Sequence, residues 1–170
     1  EISECLVGSE MCIRDSNPGV LSRIAGLFSR RGYSIDSITA GTTADPRFTR
    51  ITVVASGDEL ILSQIENQVR KLEDVIEIKL LKDGESVFRE LIMIKIRVTA
   101  AQRGEINSIA DIFRAKIVDV QEESMIIELT GTQSKLEGFM NLLKGYEILE
   151  LARTGITGLS RGCEDVTYID

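Results

Sequence analysis

The sequence predicts an α+β protein made of two consecutive units, each an antiparallel sheet of four strands with two helices on one face. Two observations lead to this prediction. Segments with two-residue alternation and segments with helical periodicity follow one another in the order strand, helix, strand, strand, helix, strand. The same order then occurs a second time within the 170 residues. A tandem repeat of one supersecondary unit therefore accounts for most of the chain.

The elements of the first unit can be read from Asn17 onward. A helix is predicted from about Gly19 to Arg31, and Gly32 ends it, as a glycine just after a basic last turn commonly does. The predicted core face of this helix consists of Leu21, Ile24, Ala25 and Phe28. The elements that follow are strands at 33–43 and 48–56 joined by a turn at 44–47, a second helix carrying Leu62, Ile65, Val69 and Leu72, and a closing strand at 75–81.

The second unit repeats the pattern after a polar segment, 82–90, which we take as the linker. Its predicted elements are a strand at 91–100, a helix with Ile106, Ile109, Ala110 and Phe113, strands at 115–121 and 124–131, a helix with Leu136, Phe139 and Leu143, and a strand at 147–153. Superposing the two halves places Gly57 on Gly131. The sequence therefore predicts an N-terminal ferredoxin-like domain at 1–81 and a C-terminal one at 91–170.

The beginning of the chain does not fit this pattern. Residues 5–15 hold two of the three cysteines and read like the translation of a DNA-library adaptor. We interpret them as non-native sequence in place of a native first strand. Because Met11 and Ile13 are the only larger apolar side chains in the stretch GSEMCIRDS (8–16), we expect the first domain to be the less stable half.

Charge and composition exclude several kinds of function. The formal net charge of −7 argues against a nucleic-acid partner, and no apolar run reaches the length of a membrane span. The chain has no histidine, and its three cysteines, Cys5, Cys12 and Cys163, lie at no metal-binding spacing. We therefore expect no catalytic site and no metal site on this chain. The odd number of cysteines, with no basic signal peptide ahead of them, indicates a cytoplasmic protein.

One motif does point to a ligand. A proline–glycine pair stands at the start of the first helix, where proline fixes φ without wasting a donor and glycine lets another group approach the backbone. The amides around Gly19, Val20 and Leu21 then point outward at the positive end of the helix dipole, which suits a small carboxylate or phosphate. The alternative is an ordinary helix start capped by Ser16 or Asn17. The residues alone leave both interpretations open.

From residue 18 to its end, the chain resembles the small regulatory subunit of acetolactate synthase. The resemblance rests on long, ordered motifs, among them PGVLSRIAGLFSRRGY, TADPRFTRITVV, GESVFRELIMIKI and RTGITGLSRG. It implies an N-terminal ACT domain, which is a small amino-acid-binding module of ferredoxin-like fold, followed by a second ACT-like domain. It also implies a chain that has no active site, activates a thiamine-diphosphate-dependent large subunit and makes it sensitive to valine.

The resemblance also implies the chemistry and composition of the complex. The large subunit joins two pyruvates, or pyruvate and 2-oxobutyrate, in branched-chain amino-acid synthesis. It holds thiamine diphosphate, magnesium and FAD, while the small subunit holds no cofactor. Small subunits form a homodimer in which valine binds between two ACT domains. The residues that the resemblance assigns to valine are Ser16, Asn17, Gly19, Val20 and Leu21 in the turn, and Ser34 and Ile35 from the partner domain.

Two positions depart from the family pattern. Ser16 stands where the family usually has an asparagine before the turn, and Ser34 replaces the asparagine of the usual RGYNI. A hydroxyl cannot bridge two groups as an amide does, and losing one bond to a charged group weakens binding by roughly ten- to a hundredfold. We therefore predict weakened or altered valine sensing, with activation of the large subunit retained.

Two other functions fit parts of the sequence. A stand-alone amino-acid-binding protein would use the same turn without an enzyme partner, and a large-subunit gene next to this one would argue against it. An RNA-binding ferredoxin-like domain needs basic sheet faces with stacking aromatic side chains. The strands at 49–56 and 125–131 offer no such aromatic residues, so the sequence argues against RNA binding.

Overall fold

The computed structural model describes residues 6–14, 19–57 and 59–163. Its elements are β1 (Leu6–Arg14), α1 (Val20–Arg31), β2 (Ser37–Thr42), β3 (Phe48–Ser56), α2 (Glu59–Val69), β4 (Val75–Leu81), β5 (Ser86–Arg97), α3 (Arg103–Phe113), β6 (Lys116–Val120), β7 (Ser124–Gly131), α4 (Gln133–Leu142), a 3-10 turn (Leu143–Gly145), β8 (Ile148–Arg153) and β9 (Thr157–Ser160). The chain divides into two units. The first comprises the described residues up to Val87 together with those from Ile156 onward, and the second is Phe88–Gly155. None of the helices in the described ranges is long and apolar enough to cross a membrane.

The first unit contains a four-stranded antiparallel sheet in the order β2-β3-β1-β4. The backbone of β1 spans most of the segment that we interpret as non-native, and it pairs with β3 on one side and β4 on the other. Backbone pairing requires no particular side chain, so the interpretation of residues 5–15 stays a prediction. The core of this unit joins α1 and α2 to the sheet through Ile24, Phe28, Ile51, Val53, Leu62, Ile65 and Val69.

The second unit repeats this strand order as β6-β7-β5-β8, and β9 also pairs with β5. Its core joins α3 and α4 to the sheet through Ile92, Ile94, Ile96, Ile106, Ile127, Leu129 and Phe139. The two units also correspond at one glycine each, Gly57 in the first and Gly131 in the second. A Cβ on Gly57 would lie 2.8 Å from Ile61 Cγ2, and one on Gly131 would lie 2.7 Å from Lys135 Cδ. The predicted α+β fold of two tandem ferredoxin-like units is confirmed.

The core face of α1 differs from the predicted one by about one residue at its start. Val20 is buried, with 6% of its surface exposed, whereas Leu21 is 48% exposed and Ala25 is also exposed. The buried residues Val20, Ile24 and Phe28 follow a strict four-residue spacing. Both sets of residues lie within one broad apolar stripe on the helix, so periodicity alone did not show which edge of the stripe faces the sheet. Leu21 is thereby left exposed beside the start of the helix.

The boundary between the units also differs from the predicted one. Residues 86–90, assigned to the linker, form the beginning of β5, in which Ser86 and Glu90 are buried. Residues 156–163, assigned to the C-terminal domain, lie in the first unit. The polar composition of 82–90 suggested a solvated linker, but the buried Glu90 carboxylate is paired with Arg153, 63 residues away along the chain.

Candidate functional site

The turn in front of α1 is shaped by a glycine in a left-handed conformation. Gly19 has φ of 112°, a left-handed conformation that residues with a Cβ rarely adopt. Its carbonyl accepts the first helical hydrogen bond, 2.9 Å from the backbone nitrogen of Arg23. A Cβ built on Gly19 would meet no other described atom within 4 Å. The glycine is therefore needed for the shape of the backbone, and the described residues leave the space beside it open.

The charges around this turn favour an anion. The first turn of α1 carries no acidic side chain, so none of its own residues occupies the positive end of the helix dipole. Arg23 pairs its Nη1 with Asp74 Oδ2 at 2.6 Å. This pair partly neutralises the charge of Arg23, so attraction of an anion to this turn would depend mainly on the backbone amides at the start of the helix.

The corresponding helix of the second unit begins differently. Its first turn contains Glu105, an acidic residue that complements the dipole from within the chain. Arg103 Nη2 donates hydrogen bonds to the carbonyls of Gln121 and Glu122, at 2.7 and 2.6 Å, and thereby spans the neighbouring β6–β7 turn. Side chains of the unit itself surround this helix start, so an anion site is better supported in the first unit.

The two remaining assigned residues lie beyond the other end of α1. The helix ends at Gly32, with φ of 69°, and the N–H groups of Gly32 and Tyr33 donate to the carbonyls of Ser29 and Phe28. Ser34 follows and is exposed. Ile35 is half-buried and packs against the core of the first unit. Ser34 is therefore free to meet a group outside its own unit, whereas Ile35 also has a structural role.

The structure does not bring the two groups of assigned residues together within one chain. Gly19, Val20 and Leu21 lie at the start of α1, while Ser34 and Ile35 follow its end. The 12 residues of this helix span about 18 Å. One amino-acid ligand cannot contact both ends, so a shared site requires two copies of the chain. Ser16 and Asn17, also assigned to the ligand, lie outside the described residues.

The exposed side chain of Leu21 is a part of the candidate site that sequence reasoning missed. The periodicity of α1 predicts Leu21 in the core, with only its amide facing a ligand. In the structure its side chain is exposed next to the open turn, and the neighbouring Val20 fills the core in its place. An apolar side chain beside a row of amides suits a ligand that has both a carboxylate and a hydrocarbon group. No local feature of the sequence shows that Leu21, rather than Val20, is the residue exposed beside the turn.

Two ferredoxin-like units in tandem define a protein of the ACT-type fold class. Comparison with known proteins identifies the family within that class. Residues 11–77 match the family described as the AHAS small subunit-like ACT domain, and residues 89–162 match the small subunit of acetolactate synthase. The chain therefore belongs to the acetolactate synthase small-subunit family.

The matches to individual relatives extend over most of this chain and most of each relative. The probable acetolactate synthase small subunit of Methanothermobacter thermautotrophicus is 44% identical over 149 residues, which is 87% of this chain and 89% of that protein. The small subunit of Escherichia coli acetolactate synthase isozyme 3 is 42% identical over 87% of this chain and 91% of its own. The crystal structure of the Thermotoga maritima small subunit superposes with a TM-score of 0.85 at 38% identity, covering 93% of this chain and 98% of that one.

Proposed function

We propose that this chain is a non-catalytic regulatory subunit that activates an acetolactate synthase large subunit and makes it sensitive to feedback inhibition by valine. Membership of the small-subunit family supports the role of the chain. The observation that carries the effector proposal is the open turn at Gly19. The partner would convert two pyruvates to 2-acetolactate and CO₂ in the cytoplasm, using thiamine diphosphate, magnesium and FAD bound to the large subunit. This chain would bind no cofactor itself.

We propose that valine binds between the first units of two chains in a homodimer. In this arrangement the valine carboxylate accepts hydrogen bonds from the amides of Gly19, Val20 and Leu21 of one chain. Ser34 and Ile35 of the other chain then complete the site from beyond the end of their own α1. The length of α1 supports this division, since one chain cannot supply both groups to a single ligand. The exposed Leu21 side chain offers the valine isopropyl group an apolar contact.

A thermal-unfolding scan of the full chain against a panel of amino acids tests the effector proposal. A ligand at a hundred times its dissociation constant stabilises the folded state by about 2.7 kcal/mol, which shifts a melting transition by several degrees. We expect valine to raise the melting temperature and glutamate or lysine to leave it unchanged. The valine shift should shrink when the protein is diluted below its dimer dissociation constant, because the site needs two chains.

Equal shifts with all amino acids, or none with valine at any concentration, would contradict the effector proposal. A valine shift that persists in a monomer, as judged by sedimentation at the same concentration, would contradict the two-chain site alone. These two results separate the identity of the effector from the architecture of its site.

A further inference from the structure

The segment that returns from the second unit is held by two hydroxyl groups of β2. Ile156 donates its backbone N–H to Ser37 Oγ at 3.1 Å. Thr39 Oγ1 donates to the carbonyl of the same residue at 2.6 Å. Ser37 and Thr39 are two residues apart on a strand and therefore lie on one face of it. Together they hold Ile156 at both its N–H and its carbonyl, and we call this arrangement the Ile156 clamp.

The clamp lies directly beside the point where the chain leaves the second unit. Thr154 still belongs to that unit, where its backbone N–H donates to the Leu91 carbonyl at 3.0 Å and its Oγ1 accepts from the Leu91 N–H at 3.1 Å. Gly155 follows with φ of 83°, and Ile156 is then the first residue of the returning segment. A single glycine therefore connects a residue fixed in the second unit to a residue fixed on β2.

The clamp also lies close to the residues proposed to meet valine. Ser37 comes three residues after Ser34, and the intervening Asp36 begins the pairing of this segment with β3 through a 2.8 Å hydrogen bond to the Val54 carbonyl. Among the described strands, β2 pairs with β3 alone and forms an edge of the sheet. A strand held on one side can shift more readily than a central strand, and any shift of β2 would act on Ile156 through both hydroxyl groups.

We infer that the Ile156 clamp transmits the effect of bound valine from the first unit to the second. Ser37 and Thr39 act as positioning residues. The inference rests on the proposed function, because it assumes that valine meets Ser34 and Ile35. When valine orders or displaces the segment that contains Ser34 and Ile35, β2 moves with it. This motion shifts Ile156 and reaches the second unit through Gly155. Ser37 and Thr39 are not among the residues assigned to the ligand. Loss of the clamp should therefore uncouple inhibition from binding.

The test compares Thr39→Val, which removes the hydroxyl at nearly constant shape, with the unchanged chain and with two controls. Thr42→Val makes the same substitution at an exposed position of the same strand. Thr39→Ser keeps the hydroxyl and should rescue the wild-type behaviour. Each full-length chain is mixed with the large subunit, and acetolactate formation is measured without valine and at valine concentrations that saturate the thermal shift of that chain.

We expect Thr39→Val to activate the large subunit as wild type does and to bind valine within about twofold of wild type. The factor by which saturating valine lowers activity should fall by about fivefold or more, since ordinary allosteric couplings are on the order of 5- to 150-fold. Thr42→Val and Thr39→Ser should be inhibited like wild type. If Thr39→Val impairs folding and activation, Ser37→Ala is measured instead, because it is a smaller change to the same clamp.

Two results would overturn the inference while leaving the proposed function intact. One is full inhibition of Thr39→Val and Ser37→Ala by valine. The other is loss of valine binding itself in these variants, which would make the hydroxyl groups part of the ligand site. Failure of the proposed function would look different, because the unchanged chain would then show neither a valine shift nor inhibition. In that case the inference about the Ile156 clamp would be wrong as well.

Discussion

Replacement of Arg153 by methionine is expected to destabilise the second unit by about 2–3 kcal/mol. Arg153 donates to both carboxylate oxygens of Glu90, from Nε at 2.9 Å and from Nη2 at 2.6 Å. These hydrogen bonds raise the pKa of Arg153, so its guanidinium stays charged at all ordinary pH values. Glu90 is only 5% exposed, and the substitution would leave its charge buried without this partner. The side chain of Arg153 is 45% exposed, which keeps the expected cost at the lower end for a buried pair.

Two comparisons make this expectation specific to the buried pair. Arg97→Met removes the ion pair with Glu147 on the same sheet, but there the two side chains are 58% and 62% exposed, and we expect a cost below about 0.5 kcal/mol. The double variant Glu90→Met/Arg153→Met removes both charges and should recover most of the lost stability. Calorimetric unfolding of each full chain measures these differences. Equal effects of Arg153→Met and Arg97→Met would show that burial of Glu90 contributes little.

Replacement of Ser34 by asparagine is expected to tighten valine binding by roughly ten- to a hundredfold. Ser34 is exposed directly after the end of α1. The serine hydroxyl donates and accepts through a single oxygen, whereas the asparagine amide has its N–H donors and its carbonyl acceptor on separate atoms and can bridge two ligand groups. Isothermal titration of valine into each chain measures the change in dissociation constant.

Ser29→Asn is the matched control, since Ser29 is exposed near the same end of α1 but lies on the helix. We expect this variant to bind valine like wild type. If Ser34→Asn and Ser29→Asn leave the dissociation constant equally unchanged, the assignment of position 34 to the effector is wrong. If both tighten binding equally, the effect does not belong to position 34.

Most of the fold follows from patterns that are local in the sequence. The predicted bounds of β3, β4 and β7 coincide with those in the structure, because β-branched alternation ends abruptly at polar or glycine residues there. The order of elements also exposes the repeat, and with it the fold class. Helical periodicity predicted α1 but misplaced its buried edge, since neighbouring residues such as Val20 and Leu21 are almost equally compatible with one apolar stripe.

The features that sequence reasoning missed depend on residues far apart along the chain. Glu90 and Arg153 are 63 positions apart, and Ser37 and Ile156 are 119 apart. Nothing local marks these residues as partners, so 82–90 read as a solvated linker and 156–163 as part of the C-terminal domain. The turn at Gly19 was predictable because proline, glycine and a helix start are adjacent in the sequence. The resemblance already implied a site shared by two chains, and the length of α1 supports that proposal because one chain cannot bring both groups of assigned residues to one ligand.

The most direct test of the account is the activity of the purified large subunit with and without this chain. We expect the chain alone to form no acetolactate, and its addition to raise the rate of the large subunit. Valine should then lower that rate only when the chain is present, at concentrations that also raise the melting temperature of the chain. A large subunit whose rate and valine response are the same with and without a folded, stoichiometric amount of this chain would contradict the regulatory role.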